Sequence, residues 1–230
     1  MALTDVPFAD RAEAGVKLAR LIRKLKLRPP VRVLGLPRGG VPIAREVARV
    51  LEAPLDVMAV RKVAMPGESE LAIGAVAPFG IVVRDPYTRA FVPGGQAFEA
   101  LALEEHVELE RRERAYRAGL PPLALHGCTV VLVDDGLATG MTMLAAVRAA
   151  RRAGAMTVVA AAPIGSAQAA TLLGPEADRV EILRIPPALY SVGEWYRDFS
   201  QVEDAEVLRI LTEARAAGQP AGAHENASPS

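Results

Sequence analysis

Val130-Val131-Leu132-Val133-Asp134-Asp135-Gly136-Leu137-Ala138-Thr139-Gly140-Met141-Thr142 is the stretch whose reading decides the fold. Its four apolar residues read as a strand buried on both faces, the mark of a parallel sheet. Two acids follow, then a sharp turn, then a helix expected over about 143–153 that Gly154 ends. In open α/β sheets ligands sit at the carboxyl ends of strands. A helix N-terminus placed there offers free N–H groups and the positive end of its dipole. Gly140 lets the backbone approach an anion closely, and Thr139 and Thr142 add hydroxyl donors. Ala138, Thr139, Gly140, Met141 and Thr142 thus read as a cradle for a phosphate monoester, built without a lysine. Asp134 and Asp135 are acceptors. They suit the other end of a sugar phosphate, where hydroxyls and a hard cation need oxygen ligands, and they would stabilise positive charge developing on the sugar ring.

Three other readings compete for this stretch. An apolar strand ending in acids also occurs in P-loop nucleotidases, but these need Gly-x-x-x-x-Gly-Lys-Ser/Thr, and the chain has no Gly-Lys pair. A phosphoacceptor receiver domain would have no need of Thr-Gly-x-Thr. An ordinary strand–turn–helix with surface acids leaves the coincidence of four features unexplained.

Working outward, 31–36 is a short strand, Pro37-Arg38-Gly39-Gly40 a loop, and Ile43, Val47, Val50 and Leu51 mark one face of a helix. With a second strand over 55–60 this is the strand–helix–strand unit of parallel sheets. A first helix is expected over 10–27, opened by Asp10 and Glu13 as a capping box. Residues 61–95 read as irregular, with short strands near 72–76 and 81–84, and 97–118 as a charged surface helix with Glu108/Arg112, Glu110/Arg114 and Glu113/Arg117 spaced for ion pairs. Strands at 157–162 and 180–185 flank a helix near 166–173, and a last helix spans about 203–216. The predicted fold is α/β: a three-layer α/β/α, Rossmann-like parallel sheet of about five strands with a small C-terminal hood near 186–200, forming one domain over 1–216, followed by a disordered tail over 217–230 rich in Gly, Pro, Ala and Ser.

Composition narrows the chemistry. With 27 basic and 27 acidic residues the net charge is zero, so no global field exists to hold nucleic acid or an anionic membrane. A single cysteine, Cys128, excludes an internal disulfide, and three scattered histidines make no zinc cluster. The first residues lack the basic and apolar regions of a signal peptide, and the apolar runs are shorter than a membrane span. A cytoplasmic protein is expected, and the Asn226-Ala227-Ser228 sequon is then coincidental.

The thirteen residues 130–142 resemble the phosphoribosyl-pyrophosphate (PRPP) signature of type I phosphoribosyltransferases: four apolar residues, two acids, and a turn closing in Thr-Gly-x-Thr. The element order is compatible with that fold over roughly 10–200. The resemblance implies that Ala138–Thr142 hold the 5-phosphate. It also implies that Asp134 and Asp135 meet the ribose hydroxyls directly or through Mg2+. Pro37-Arg38-Gly39-Gly40 resembles the family's pyrophosphate loop, where a non-proline cis peptide is common. Arg38 would supply a forked cation and Gly39 and Gly40 their amides; alone, the tetrapeptide also reads as a simple helix-start turn. Residues 61–72 fall where the family carries a mobile lid, with Arg61 and Lys62 adding charge near the pyrophosphate; a merely solvated loop is the alternative. Some purine-salvage members carry an aspartate, proposed as a base, where this chain has Ala138, so no general base is assigned.

Only 4% of the chain is aromatic, yet Tyr190, Trp195, Tyr196 and Phe199 fall within ten residues. They read either as an acceptor pocket that stacks on a planar ring or as a small core pinning the C-terminal segment. The expected activity is Mg2+-dependent transfer of the phosphoribosyl group from PRPP to a nitrogenous acceptor, a purine or pyrimidine base, with Asp134, Asp135 and Arg38 as the catalytic set. A ligand-sensing regulator and a phosphoribosyl hydrolase are the alternatives. A homodimer is an expectation from the resemblance alone.

Overall fold

The computed structural model describes residues 6–86, 88 and 95–218. In chain order the elements are α1 (Arg11–Arg23), β1 (Val31–Gly35), α2 (Gly40–Leu51), β2 (Leu55–Val57), β3 (Arg61–Met65), β4 (Glu68–Ala77), β5 (Ile81–Arg84), α3 (Gly95–Tyr116), β6 (Thr129–Val133), α4 (Met141–Arg152), β7 (Thr157–Ile164), α5 (Ala167–Leu173), β8 (Arg179–Arg184), a 3-10 turn (Gly193–Trp195) and α6 (Asp204–Gly218). The five-stranded sheet runs β2-β1-β6-β7-β8, every pairing parallel. All of β6 is buried, as its unbroken apolar run requires of a central parallel strand. Its register sets Gly35 beside Val133 and Val133 beside Ala161, so the strand ends that carry the site are level.

Each face of the sheet has its own core. On one, α1, α2 and α6 pack Leu18, Ile22, Ile43, Val47 and Ile210 onto Val33, Val131 and Val133. On the other, α4 packs Met143 and Val147 onto Leu34, Val130 and Leu132, with Ala75 and Val83 in the same cluster. Local signals open the helices: the Asp10 side chain accepts from the Glu13 amide (2.8 Å), and the Glu13 side chain reaches back to accept from the Ala9 amide (2.6 Å).

The stretch after β2 departs from the sequence reading. The strands expected near 72–76 and 81–84 are present, within β4 and as β5, but β3 and the start of β4 stand where irregular chain is expected, and the three form an antiparallel sheet. The span read as a lid, 61–72, is a hairpin whose turn is Pro66-Gly67, with Gly67 at φ +84°. Proline followed by a positive-φ glycine is the recipe of a tight type II turn. A small core of Val63, Ile73, Val76, Phe98 and Leu109 joins this sheet to α3.

Two further differences have plain causes. Glu108 pairs with Arg112 (2.8 Å) as spaced, but Arg117 leaves Glu113 and grips Asp56 on β2 (3.1 Å). That strand carboxylate is mostly shielded from water, where a forked bond is stronger than an exposed helix pair. Helix α6 runs to Gly218, into the span read as tail; the rest of that tail lies outside the described residues. Among the described residues no helix is long and apolar enough to cross a membrane.

Candidate active site

Two loops and two acids meet at the carboxyl ends of β1 and β6. After β6 the chain passes Asp134 and Asp135 beside the loop that follows β1, then swings toward the end of β7. There Leu137 bridges Gly165, and the Ser166 hydroxyl donates to the Ala138 carbonyl (2.6 Å). The same Ser166 oxygen caps α5 by accepting from the Ala169 amide (2.9 Å). The Thr139–Thr142 turn is thus anchored on its outer side by the start of another helix. Gly140 sits at φ +81°, and the first α4 hydrogen bond across the cap runs from the Leu144 amide to the Gly140 carbonyl (2.8 Å). The amides ahead of Leu144 have no helical acceptor, which makes this turn a ready anion site. The Met141 amide makes only a long contact to the Thr139 hydroxyl (3.4 Å).

On the other side of the acids, Pro37–Arg38 is a cis peptide. The Gly40 amide is already taken by the Leu36 carbonyl (3.0 Å), and Val41 donates to the Arg38 carbonyl (3.2 Å). Of the two glycine amides predicted to hold an anion, Gly39 alone is left to a ligand. The glycines are there because the loop presses on the acids. A Cβ on Gly39 would lie 1.9 Å from Oδ2 of Asp135, and one on Gly40 would lie 2.4 Å from the Val133 carbonyl oxygen. The guanidinium of Arg38 leans toward Glu203 (3.7 Å) and Asp204 (3.9 Å) at the start of α6, beyond hydrogen-bond reach of either.

The acids are arranged so that each keeps one oxygen available. Oδ1 of Asp134 accepts the Asp135 amide (2.8 Å). Oδ2 of Asp135 takes both Nε (3.0 Å) and Nη2 (2.9 Å) of Arg11. Burial, and then the charge on Asp135, push the Asp134 carboxyl well above the usual carboxylate range. Burial also raises Asp135, against the pull of the Arg11 cation. Among the described residues no three His, Cys, Asp or Glu side chains are grouped to hold a metal by themselves. A pair of carboxylates with free oxygens instead fits a cation such as Mg2+, which keeps waters and takes further oxygens from a phosphate-bearing substrate.

Nothing local in the sequence marks Arg11 or Ser166 as site residues: Arg11 lies 124 residues from Asp135 and Ser166 lies 28 from Ala138. The aromatic group divides. Tyr196 is 5% exposed, stacked on Phe199 (5.0 Å) and tilted against Phe8 (5.5 Å), and its hydroxyl donates to the Asp135 carbonyl (2.6 Å). Its ring is therefore part of a small core and not an open stacking face. Trp195 is half-buried beside that core, whereas Tyr190 is 89% exposed and available to a planar ligand. Arg61 is engaged by Glu105 of α3 (2.8 Å), away from the acids, and Lys62 stands half-buried on β3 opposite Ala75. A cavity of about 570 Å³ opens beside the phosphate turn between Thr139 and Met141 on one wall and Gln168, Thr171 and Leu172 on the other; it touches neither acid.

Comparison with known proteins shows the family of the chain. A protein of Mycobacterium tuberculosis named as a phosphoribosyl transferase is 42% identical over 222 residues, which are 96% of this chain and 50% of that protein. The chain thus spans about half the length of the curated relatives it matches. A crystal structure of a Thermus thermophilus protein is 42% identical with a TM-score of 0.75, over 90% of this chain and 99% of that one. The family model for the phosphoribosyl transferase domain matches residues 11–200, from the arginine that holds Asp135 to the serine whose carbonyl holds that arginine, and the chain belongs to that family.

Proposed function

We propose that this chain transfers the 5-phosphoribosyl group of PRPP to a nitrogen of a small planar acceptor, a purine or pyrimidine base, with release of pyrophosphate. The observation that carries this reading is the placement of Asp134 and Asp135 between two anion-binding turns. One is Ala138–Thr142, whose amides have no helical acceptor, and the other is Pro37–Gly40 with the Gly39 amide and Arg38. PRPP has that layout: a phosphate at each end of a pentose and a diol between them. The 5-phosphate takes the α4 turn, the free oxygens of the two acids accept the ribose hydroxyls, and the pyrophosphate lies over the β1 loop. Asp134 and Asp135 would hold Mg2+ through hydroxyls or water, and the bound ion would supply positive charge toward the pyrophosphate.

In the reaction the C1–oxygen bond to pyrophosphate breaks, C1 gains oxocarbenium character, and the acceptor nitrogen bonds C1 from the opposite face. The chain's own residues contribute charge and position. The acids lie near the developing cation, Arg38 swings from the acids of α6 to the leaving group, and the turns fix both ends. Ala138 offers no base, so the acceptor's proton leaves to solvent or pyrophosphate.

The test is isothermal calorimetry of PRPP with Mg2+, followed by a transfer assay across a panel of bases. Arg38→Ala should weaken pyrophosphate binding by roughly 10–100-fold, the worth of a charge-assisted contact. Asp135→Asn should mainly slow turnover. Absence of PRPP binding by the folded protein would refute the reading. Hydrolysis without transfer, or binding without turnover, would convert it to a hydrolase or a sensor.

A further inference from the structure

We propose that Arg11 is a positioning residue that fixes the orientation in which the Asp135 carboxylate meets the ribose and ties that orientation to the C-terminal aromatic segment. This rests on the phosphoribosyl reading above. Two guanidinium nitrogens, Nε (3.0 Å) and Nη2 (2.9 Å), converge on one oxygen, Oδ2. That oxygen is thereby spent as an acceptor, and Oδ1 is the one left for a hydroxyl. Packing holds the same orientation: a Cβ on Gly39 would lie 1.9 Å from Oδ2 and 2.6 Å from Cγ of Asp135. The pair is well shielded, with side chains 12% and 18% exposed, so the bond is stronger than a surface ion pair.

Arg11 is itself fixed from the other side. Its third nitrogen, Nη1, donates to the Ser200 carbonyl (2.8 Å), and its guanidinium carbon lies 3.9 Å from the Phe199 ring centroid. Phe199 stacks on Tyr196 at 5.0 Å, and the Tyr196 hydroxyl returns to the Asp135 main chain (2.6 Å). The result is a closed circuit: Asp135 carboxylate, Arg11, Phe199, Tyr196, Asp135 carbonyl. It holds the acid by side chain and backbone at once, and none of its four residues belongs to either turn. A movement of the 190–200 segment around an acceptor would be felt at the acid that meets the ribose.

The experiment is steady-state kinetics of the full chain with PRPP, Mg2+ and whichever base the wild type accepts. Arg11→Gln should lower kcat by roughly 10–100-fold, the usual cost of losing a ligand-orienting partner. KM for PRPP should change far less. Arg11→Lys keeps the charge but loses the fork and the stacking plane, so it should recover only part of the rate. Phe199→Leu should slow the otherwise intact enzyme and add nothing to Arg11→Gln, since both break one circuit. Wild-type kcat in folded Arg11→Gln would overturn the inference. Full rescue by lysine with an additive effect of Phe199→Leu would do the same, because it would make Arg11 a simple counter-charge. If Arg11→Gln does not fold, the lysine and leucine variants decide by the same criteria. A wild type that neither binds nor turns over PRPP would defeat the phosphoribosyl reading itself, and this one with it.

Discussion

At the scale of single residues, the site holds charge where folding would rather have none. Ionisation of Asp134 is opposed by its own burial and then by the charge on Asp135, so its folded pKa is raised. A raised carboxyl costs stability, and the sign follows from linkage: the cost is absent below the ordinary value of 3.8 and complete above the folded one. Asp134→Asn keeps the oxygen that accepts the Asp135 amide and removes the charge. We expect it to slow turnover yet raise Tm at neutral pH by about 2–4 °C, equivalent to about 1 kcal/mol for a chain of this size. The gain should fade in melts below pH 3.8. A lower Tm at neutral pH would show that the charge itself holds the turn. The residue types at this site are readable from their order, since strand, acids and Thr-Gly-x-Thr are contiguous. The reason for Gly39 is not: its missing side chain makes room for a carboxylate that follows a strand remote in the chain, which local sequence does not encode.

At the scale of elements, the turn over 138–142 depends on a helix it does not belong to. Ser166 caps α5 and, through the same hydroxyl, donates to the Ala138 carbonyl. Ser166→Ala should cost about 1 kcal/mol of stability, the typical worth of an N-cap. On the proposed function it should also raise KM for PRPP with little change in kcat, because the turn proposed to bind the 5-phosphate loses its outer anchor. Urea unfolding beside PRPP titration separates the two effects, and an unchanged KM would show that the turn stands alone. The helices and the parallel strands are legible because their apolar periods differ. Strand β3 and the start of β4 read as irregular because polar and charged residues such as Arg61, Lys62 and Glu68 hide the alternation. The Pro66-Gly67 pair is the available signal of a turn. Helix spacing assigns Arg117 to Glu113, but a strand acid that only the fold brings near wins it.

At the scale of the whole molecule, one sheet serves two cores, and the site lies along the strand ends that both cores fix. A ligand that binds only this assembled edge stabilises the whole fold. PRPP with Mg2+ at about 100 times its Kd should add about 2.7 kcal/mol, a rise in Tm of roughly 5–10 °C by differential scanning fluorimetry. Asp135→Asn should reduce the rise, and no shift in the wild type would contradict ligand closure across this edge. The linear order of residues by itself determined the fold class and the strand–acids–turn sequence of 130–142, because hydrophobic period and turn chemistry act between near neighbours in the chain. Only the tertiary structure decided that Arg11 holds Asp135, that Tyr196 is packing, that Gly39 has its amide free while Gly40 does not, and that Arg61 turns to α3. These are choices among partners, made by burial and distance once the sheet has brought remote segments together.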